Sequence, residues 1–582
     1  MPAIPSWLRI VGVKLPRAIA TLSSTARILN IVSEKKSSGS PADIELKVQE
    51  YRALKITDQR PPVFGSVWHE IVVIIILTLG MALPPANQGA MQIAVPQIGE
   101  SFGISGGSLS WTISAFTLTS GAFVLLLAAL ADNIGRKRML LISYIWFSAW
   151  CLISAFVQNH IVFDVIRGLQ GLSGAVSAPA AVGIVGATYI PGKRKNRAMA
   201  SIAAGAPLGF IVGITCGGIC TEFLSWRSIL YFSAIQYTFL AILAWFLVPN
   251  DPAMKWVAVR EKLADIDYIG ALLSTSGLVL LVFGLTESST TSQGWRSPYV
   301  IVLFIAGIIV IGLFVFWESK AKYPLMPLYI WRYPGVALCM IIIGCGFMNF
   351  LGVVSYYMVL FFQRIRGASA ILTTAYLIPQ AVSGILVNIL VALTLHIIPG
   401  RIFMVIAMTA FLVSALLWAL QPMSLTYWAM AFPAICLSVL GADISFNVAN
   451  MHILSAVPRE LQSSASGILN TVKQIAVSIG LAASSTIVKT AADKSQNEGA
   501  RRLYDSYRAA FWFAVGVSGV GLLCSLFLKV GTQGAKREDD TNDTPHNAGS
   551  AESAESAENA ESAENAESAE NAETAEKIAG RR

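Results

Sequence analysis

Two charged residues inside runs apolar enough to cross a bilayer carry the chemistry this chain can offer. Arg167 stands in Asp164-Val-Ile-Arg167-Gly-Leu-Gln170-Gly171, and Asp443 stands in Asp443-Ile-Ser-Phe-Asn447. Placing a charge there costs about 2.5–3.5 kcal/mol on insertion scales, so each marks a functional candidate. Hydrocarbon disfavours the charged form of an acid, which suits Asp443 to a proton-coupling or substrate role. The alternative is a carboxylate satisfied by Ser445, Asn447 or Asn450. For Arg167 the alternative is a side chain that snorkels at a helix end and pairs with Asp164. Asn87, Gln170, Asn349, Tyr356, Gln380, Asn388 and Asn447 are uncharged polar residues in similar runs. Together they could line a cavity; singly, each reads as an interhelical hydrogen bond.

Such groups move protons and hold small molecules; they do not make or break substrate bonds. The seven cysteines form no CxxC pair, and the five histidines are dispersed. Neither a metal site nor a catalytic residue is expected, and no enzyme. The phosphate-cradling pattern GxxxxGK[ST] is absent from the sequence, which argues against ATP-driven work.

The elements that must position these residues are membrane helices. Of 582 residues, 55% are hydrophobic and only 13% charged, with mean hydropathy +0.62. A soluble domain carries about a quarter charged residues. The net charge of +8 comes from bases in short loops beside apolar runs, an orientation signal at a membrane and not a nucleic-acid footprint. Runs of about 20 apolar residues predict fourteen spans, near 68–90, 110–130, 139–157, 163–188, 198–220, 229–248, 269–287, 299–317, 336–359, 370–395, 401–420, 425–449, 466–488 and 509–529.

An even number of spans puts both termini on one side. Arg136-Lys137-Arg138, Lys193-Arg194-Lys195, Lys255 with Arg260 and Lys262, and Lys320 with Lys322 then face the cytoplasm. The first 65 residues carry Arg9, Lys14, Arg17 and Arg27 before any acid and read as a basic cytoplasmic tail. A weak presequence is the alternative. Residues 550–576 repeat Ser-Ala-Glu and Asn-Ala-Glu triplets, a solvated acidic tail with nothing to form a core.

Two motifs give the spans an identity. The loop Ala131-Asp132-Asn-Ile-Gly135-Arg136-Lys137-Arg138 joins the second and third spans. An acid, a glycine for a tight turn and three bases exceed what orientation alone requires. In the fifth span Gly205, Gly209, Gly213 and Gly217 recur every fourth residue, followed by Gly218. That ridge lets a neighbouring helix approach closely.

The loop resembles the gating motif of the major facilitator superfamily. It departs at Ala128, where glycine is usual, and at Asn133, where a base is common. Arg167-Gly-Leu-Gln170-Gly171 resembles the family's motif B, whose arginine is associated with proton coupling. Gly213-Ile-Thr-Cys-Gly217-Gly218 resembles the antiporter motif, with Ile214 in place of its proline. Trp226-Arg227 resembles the family's pair at the next helix entry, Pro324-Leu-Met-Pro327 is similar to the fourteen-span drug:proton antiporters (the DHA2 group), and Asp443–Asn447 is similar to fungal members of the aminotriazole-resistance and boron-efflux type. Asn87 holds the place where many members carry a first-span acid.

The resemblance implies an all-α membrane protein of the major facilitator fold, two six-helix bundles plus an inserted helix pair. The expected division is a tail over 1–65, a bundle over 66–250, a linker with the extra pair over 251–330, a second bundle over 331–530 and an acidic tail over 531–582. It implies secondary transport, with proton-coupled efflux of small toxic compounds as the leading expectation. The implied site comprises Asp132, Gly135, Arg136 and Arg138 for gating, Arg167 and Asp443 for coupling, and Gly209, Gly213, Gly217 and Gly218 as the antiporter glycines. The implied energy source is the proton gradient, with no other cofactor. The implied partners are a small-molecule substrate, protons and the bilayer, without nucleic acid, the protein being a monomer. Plasma membrane is the expected location, the vacuolar membrane being the alternative. Two other functions stay open: a facilitator or importer of a small polar solute, borate- or ammonium-like, and a membrane receptor without flux.

Overall fold

The computed structural model describes residues 60–190, 192–250, 266–291, 293–322, 324–395, 397–458 and 461–531. The basic amino-terminal segment, Lys255, Arg260, Lys262 and the acidic repeats lie outside the described residues.

Fourteen helices among the described residues are long and apolar enough to cross a membrane. In chain order they are α1 (Val67–Phe102), α2 (Gly107–Ile134), α3 (Arg136–Ala155), α4 (His160–Thr188), α5 (Lys193–Phe223), α6 (Trp226–Leu247), α7 (Tyr268–Thr290) and α8 (Pro298–Glu318). They continue with α9 (Val336–Ile365), α10 (Ala370–Thr394), α11 (Gly400–Leu420), α12 (Ala431–Ala456), α13 (Gln462–Lys494) and α14 (Gly499–Leu526). Helices α1–α6 pack as one bundle and α9–α14 as another, with α7 and α8 as the inserted pair.

Local sequence explains several ends. Ser66 caps α1 by accepting from the His69 amide at 3.0 Å. Asn159 caps α4 by accepting from the Ile161 amide at 2.8 Å. Asp267 caps α7 through the Gly270 amide at 2.8 Å, and the Trp317 indole donates to the same carboxylate at 2.9 Å, closing the inserted pair into a hairpin.

Several spans differ from the sequence expectation at their ends; α14, for example, begins at Gly499 and not near 509. Helix α1 does not end near residue 90 but runs to Phe102 with Pro84, Pro85 and Pro96 inside it. Neighbouring helices cover that added stretch, where Ile93, Ala94, Val95 and Ile98 are almost fully buried, so packing outweighs the lost amide donor. Helix α12 begins at Ala431, not near 425. Its expected first turn is a loop pinned by Tyr427, whose ring stacks on Tyr376 at 4.5 Å and whose hydroxyl donates to the Tyr376 carbonyl at 2.7 Å. The apolar residues Trp428 and Met430 carry the same signal in a loop as in a helix. The shift puts Asp443 at the middle of α12.

The glycine ridge of α5 lies along α1 in register. A Cβ at Gly205, Gly209, Gly213 or Gly217 would strike the backbone of Thr78, Ala82, Ala86 or Ala90 respectively. The bundles meet through α2 against α13 and α5 against α10. Thr117 shares a hydroxyl hydrogen bond with Ser478 at 2.7 Å, and Thr374 donates to the Ile214 carbonyl at 3.3 Å. Helix α7 touches both α2 and α13, so the inserted pair straddles the seam. Ser288 bonds Thr486 at 2.7 Å and Ser289 bonds Ser485 at 3.1 Å. The outer face is apolar: Trp245, Phe246, Ile308, Ile309 and Leu386 are all exposed, as lipid contact requires.

Candidate functional site

Arg167 is fully buried in the amino-terminal bundle. Its Nε donates to the Thr112 carbonyl at 3.1 Å. One terminal nitrogen donates to Asn87 Oδ1 at 2.8 Å and to Gln170 Oε1 at 2.7 Å. The guanidinium carbon lies 5.1 Å from the centre of the Phe116 ring. Asn87 passes the network to Ser233 at 3.2 Å, and Gln170 passes it to Ser154 at 3.2 Å. Five helices, α1, α2, α3, α4 and α6, are thereby tied to one cation. The snorkelling alternative does not hold: Arg167 is not paired with Asp164, whose buried Oδ1 has no hydrogen-bond partner. The second terminal nitrogen of Arg167 is likewise without a hydrogen-bond partner.

Asp443 belongs to the other bundle. Its carboxylate accepts from Asn388 of α10 at 2.9 Å, and Asn447 donates to Asn388 Oδ1 at 2.9 Å. Asn447 also donates to the Asp443 backbone carbonyl at 2.9 Å. The hydroxyl of Ser445 donates instead to the Ala442 carbonyl at 3.2 Å. Among the described residues no cation lies within ion-pairing distance of Asp443. An acid held only by neutral amides can gain and lose a proton without abandoning a fixed counter-charge.

The loop of the second and third helices is built on Gly135, whose φ of 121° only glycine adopts readily. Asp132 and Arg136 form a 2.7 Å ion pair, the aspartate side chain being 47% exposed. Arg136 also donates to the Gly183 carbonyl at 2.6 Å, tying the loop to α4. Lys137 is buried and caps the end of α6 through the carbonyls of Trp245 and Val248 at 2.9 and 2.6 Å. Arg138 is exposed. The Asp132 pair is thus local to its own bundle.

The remaining polar residues do not gather into one cluster. Asn349 donates to the Phe411 carbonyl at 3.2 Å and to the Ser518 hydroxyl, holding α9 to α11 and α14. Tyr356 is buried with its ring at 5.0 Å from Tyr357 and its hydroxyl unpartnered. Gln380 is buried with an unpartnered Oε1. Gly209, Gly213 and Gly217 serve contact with α1, while a Cβ on Gly218 would strike Thr374 of the other bundle.

Two charged groups escaped the sequence reading. Glu70, in the first turn of α1, is 4% exposed and accepts from both Arg194 and Tyr189, the latter at 2.9 Å. The first turn of a span is where acids are ordinary, so nothing in the sequence set it apart. Lys473 lies within α13 with its ammonium 4.8 Å from the Phe446 ring centre and 5.6 Å from that of Phe347. A lysine inside a span was the available signal.

Comparison with known proteins agrees with this architecture. The family model described as Major Facilitator Superfamily matches residues 77–481. A low affinity ammonium transporter of Saccharomyces cerevisiae is 31% identical over 471 residues, 80% of this chain and 89% of that protein. The efflux pump terJ of Aspergillus terreus is 30% identical over 466 residues, 79% of this chain and 88% of that protein. The aminotriazole resistance protein of Saccharomyces cerevisiae is 26% identical over 474 residues, 80% of this chain and 85% of that protein. Among solved structures, the POT family transporter PepTSo superposes with a TM-score of 0.54 at 10% identity, over 78% of this chain and 97% of that one. That likeness bears on the fold alone. The chain belongs to the major facilitator superfamily and is an integral, multi-pass membrane transporter.

Proposed function

We propose that this transporter exports small toxic molecules in exchange for protons, with Asp443 as the proton-carrying residue. The observation that carries the reading is the Asp443–Asn388 contact, an acid at mid-helix whose carboxylate accepts from a neutral amide at 2.9 Å. Similarity to the efflux pump terJ and to the aminotriazole resistance protein supports export. Arg167 organises the amino-terminal half around Asn87 and Gln170, and the Asp132 loop gates the cytoplasmic side by re-pairing its charges. The bundles of 66–250 and 331–530 rock about the seam between α2 and α13. In this reading both termini are cytoplasmic, the protein is a monomer in the plasma membrane, and the proton gradient is its energy source.

The test uses the full chain in proteoliposomes with an acidic lumen, a lumenal pH dye and aminotriazole as probe. Wild type releases lumenal protons when aminotriazole is added. Asp443→Asn abolishes that release yet still exchanges labelled aminotriazole across the membrane without a gradient. Gradient-driven release that persists in Asp443→Asn removes Asp443 from the coupling role.

A second reading has its own support. Asn87 cannot carry a proton, and the ammonium transporter is as similar as the efflux pump. Uncoupled entry of methylammonium, unaffected by the pH gradient, is the result that favours it.

A further inference from the structure

Lys473 has no part in the reading above, and its surroundings are unusual for a cation inside a span. The residue is one turn beyond the Thr117–Ser478 level of the seam, on the cytoplasm-proximal part of α13 in the proposed topology. It lies roughly 16 Å from the start of α13 at about 1.5 Å per residue, too far to snorkel there. Its side chain keeps part of its surface exposed. Its neighbours are the faces of Phe446 on α12 and Phe347 on α9, rings set 6.2 Å apart at 73°. The ion pairs among the described residues are Arg136–Asp132, Arg194–Glu70 and Arg502–Asp493, so none engages Lys473. Asp443 precedes Phe446 by three residues on the same helix, but its carboxylate accepts from Asn388.

Ring faces attract an ammonium but bring no negative charge. A charge inside a span is ordinarily paired with an opposite one or with backbone carbonyls. Here the aromatic walls are present and the counter-charge is missing. We infer that Lys473 is the anion-binding residue of a carboxylate subsite, and that a substrate with a carboxylate on a flat apolar body docks there. The carboxylate meets the ammonium while the apolar body lies against Phe347 and Phe446, with Phe350 continuing the wall 6.4 Å from Phe347. This deepens the transport reading by naming a substrate class, and rests on that reading for calling the bound anion a substrate.

The experiment uses the full chain purified in detergent, with benzoate as the probe and benzyl alcohol as its neutral counterpart, and affinity read by calorimetry. Benzoate is expected to bind wild type at least about tenfold more tightly than benzyl alcohol. Lys473→Met is expected to lose about tenfold or more in benzoate affinity, while Lys473→Arg, which keeps the charge and stacks on rings, stays within about threefold. Lys489→Met, a lysine bonded to the Thr291 carbonyl, is expected to bind benzoate like wild type. Equal affinity for the two probes, wild-type affinity in Lys473→Met, or no benzoate binding up to about 10 mM overturns the proposal. If Lys473→Met does not fold, the two probes on wild type and Lys473→Arg still decide. Binding needs no gradient, so its failure leaves the export reading standing, and failed proton exchange leaves the subsite standing.

Discussion

Arg167 donates to Asn87 across 2.8 Å, so the buried guanidinium of α4 is met on α1 by a neutral amide. The cation is held by hydrogen bonds from three sides and by the Phe116 ring, not by a counter-ion. The amide fixes the geometry of α1 against α4 without adding a titratable group to that contact.

Replacing Asn87 separates the bond from the charge. Asn87→Leu removes an acceptor from a buried cation and is expected to destabilise by about 1–3 kcal/mol. Asn87→Asp supplies a counter-charge and is expected to melt at or above the wild-type temperature. Thermal unfolding in detergent reads both, and a less stable Asn87→Asp than Asn87→Leu contradicts the picture of an under-compensated cation.

The two acids on the proposed cytoplasmic side should respond differently. Glu70 is buried under Arg194 and Tyr189, so Glu70→Ala removes a buried acceptor that serves both and is expected to cost about 1–3 kcal/mol. Asp132 is half exposed, and Asp132→Asn is expected to cost about 0–1 kcal/mol while slowing transport. Melting temperature and initial transport rate, measured on the same preparations, distinguish a structural clamp from a moving gate.

The ridge of α5 makes a steric prediction. Gly213→Ala puts a methyl group into the Ala86 carbonyl and is expected to cost about 1–3 kcal/mol, with a lower yield of folded protein. A Cβ at Gly519 in α14 meets nothing within 4 Å, so Gly519→Ala is expected to be neutral or stabilising by up to about 1 kcal/mol. Equal melting temperatures for the two variants contradict close packing of α5 on α1.

Asn388 should act through Asp443. Asn388→Leu removes the hydrogen bond its amide donates to the Asp443 carboxylate, so the pH profile of gradient-driven transport should move. Asn388→Asp, which replaces that donor with a second carboxylate, should move the profile as well. An unmoved profile in both places the coupling proton elsewhere.

What could be read in the chain and what could not divide along one physical line. The fourteen spans, the tight turn at Gly135 and the packing role of the α5 glycines depend on composition and short spacing. A bilayer demands runs of fixed length, and a close helix contact demands small residues every fourth position. Arg167 and Asp443 stood out because charge in hydrocarbon is costly wherever it sits. Their partners did not, because Asn87 is 80 residues from Arg167 and Asn388 is 55 from Asp443, distances over which sequence carries no pairing rule. The start of α12 is misplaced for a related reason: the stacking of Tyr427 on Tyr376, 51 residues away in sequence, distinguishes its loop from a helix. The sequence by itself determined that this protein crosses the membrane many times and that Arg167 and Asp443 lie inside its spans. The tertiary structure decided what each charge faces: an amide for Arg167, an amide for Asp443, and two aromatic rings for Lys473 with no ion-paired acid among the described residues, since side chains from separate helices meet only once the bundles have packed.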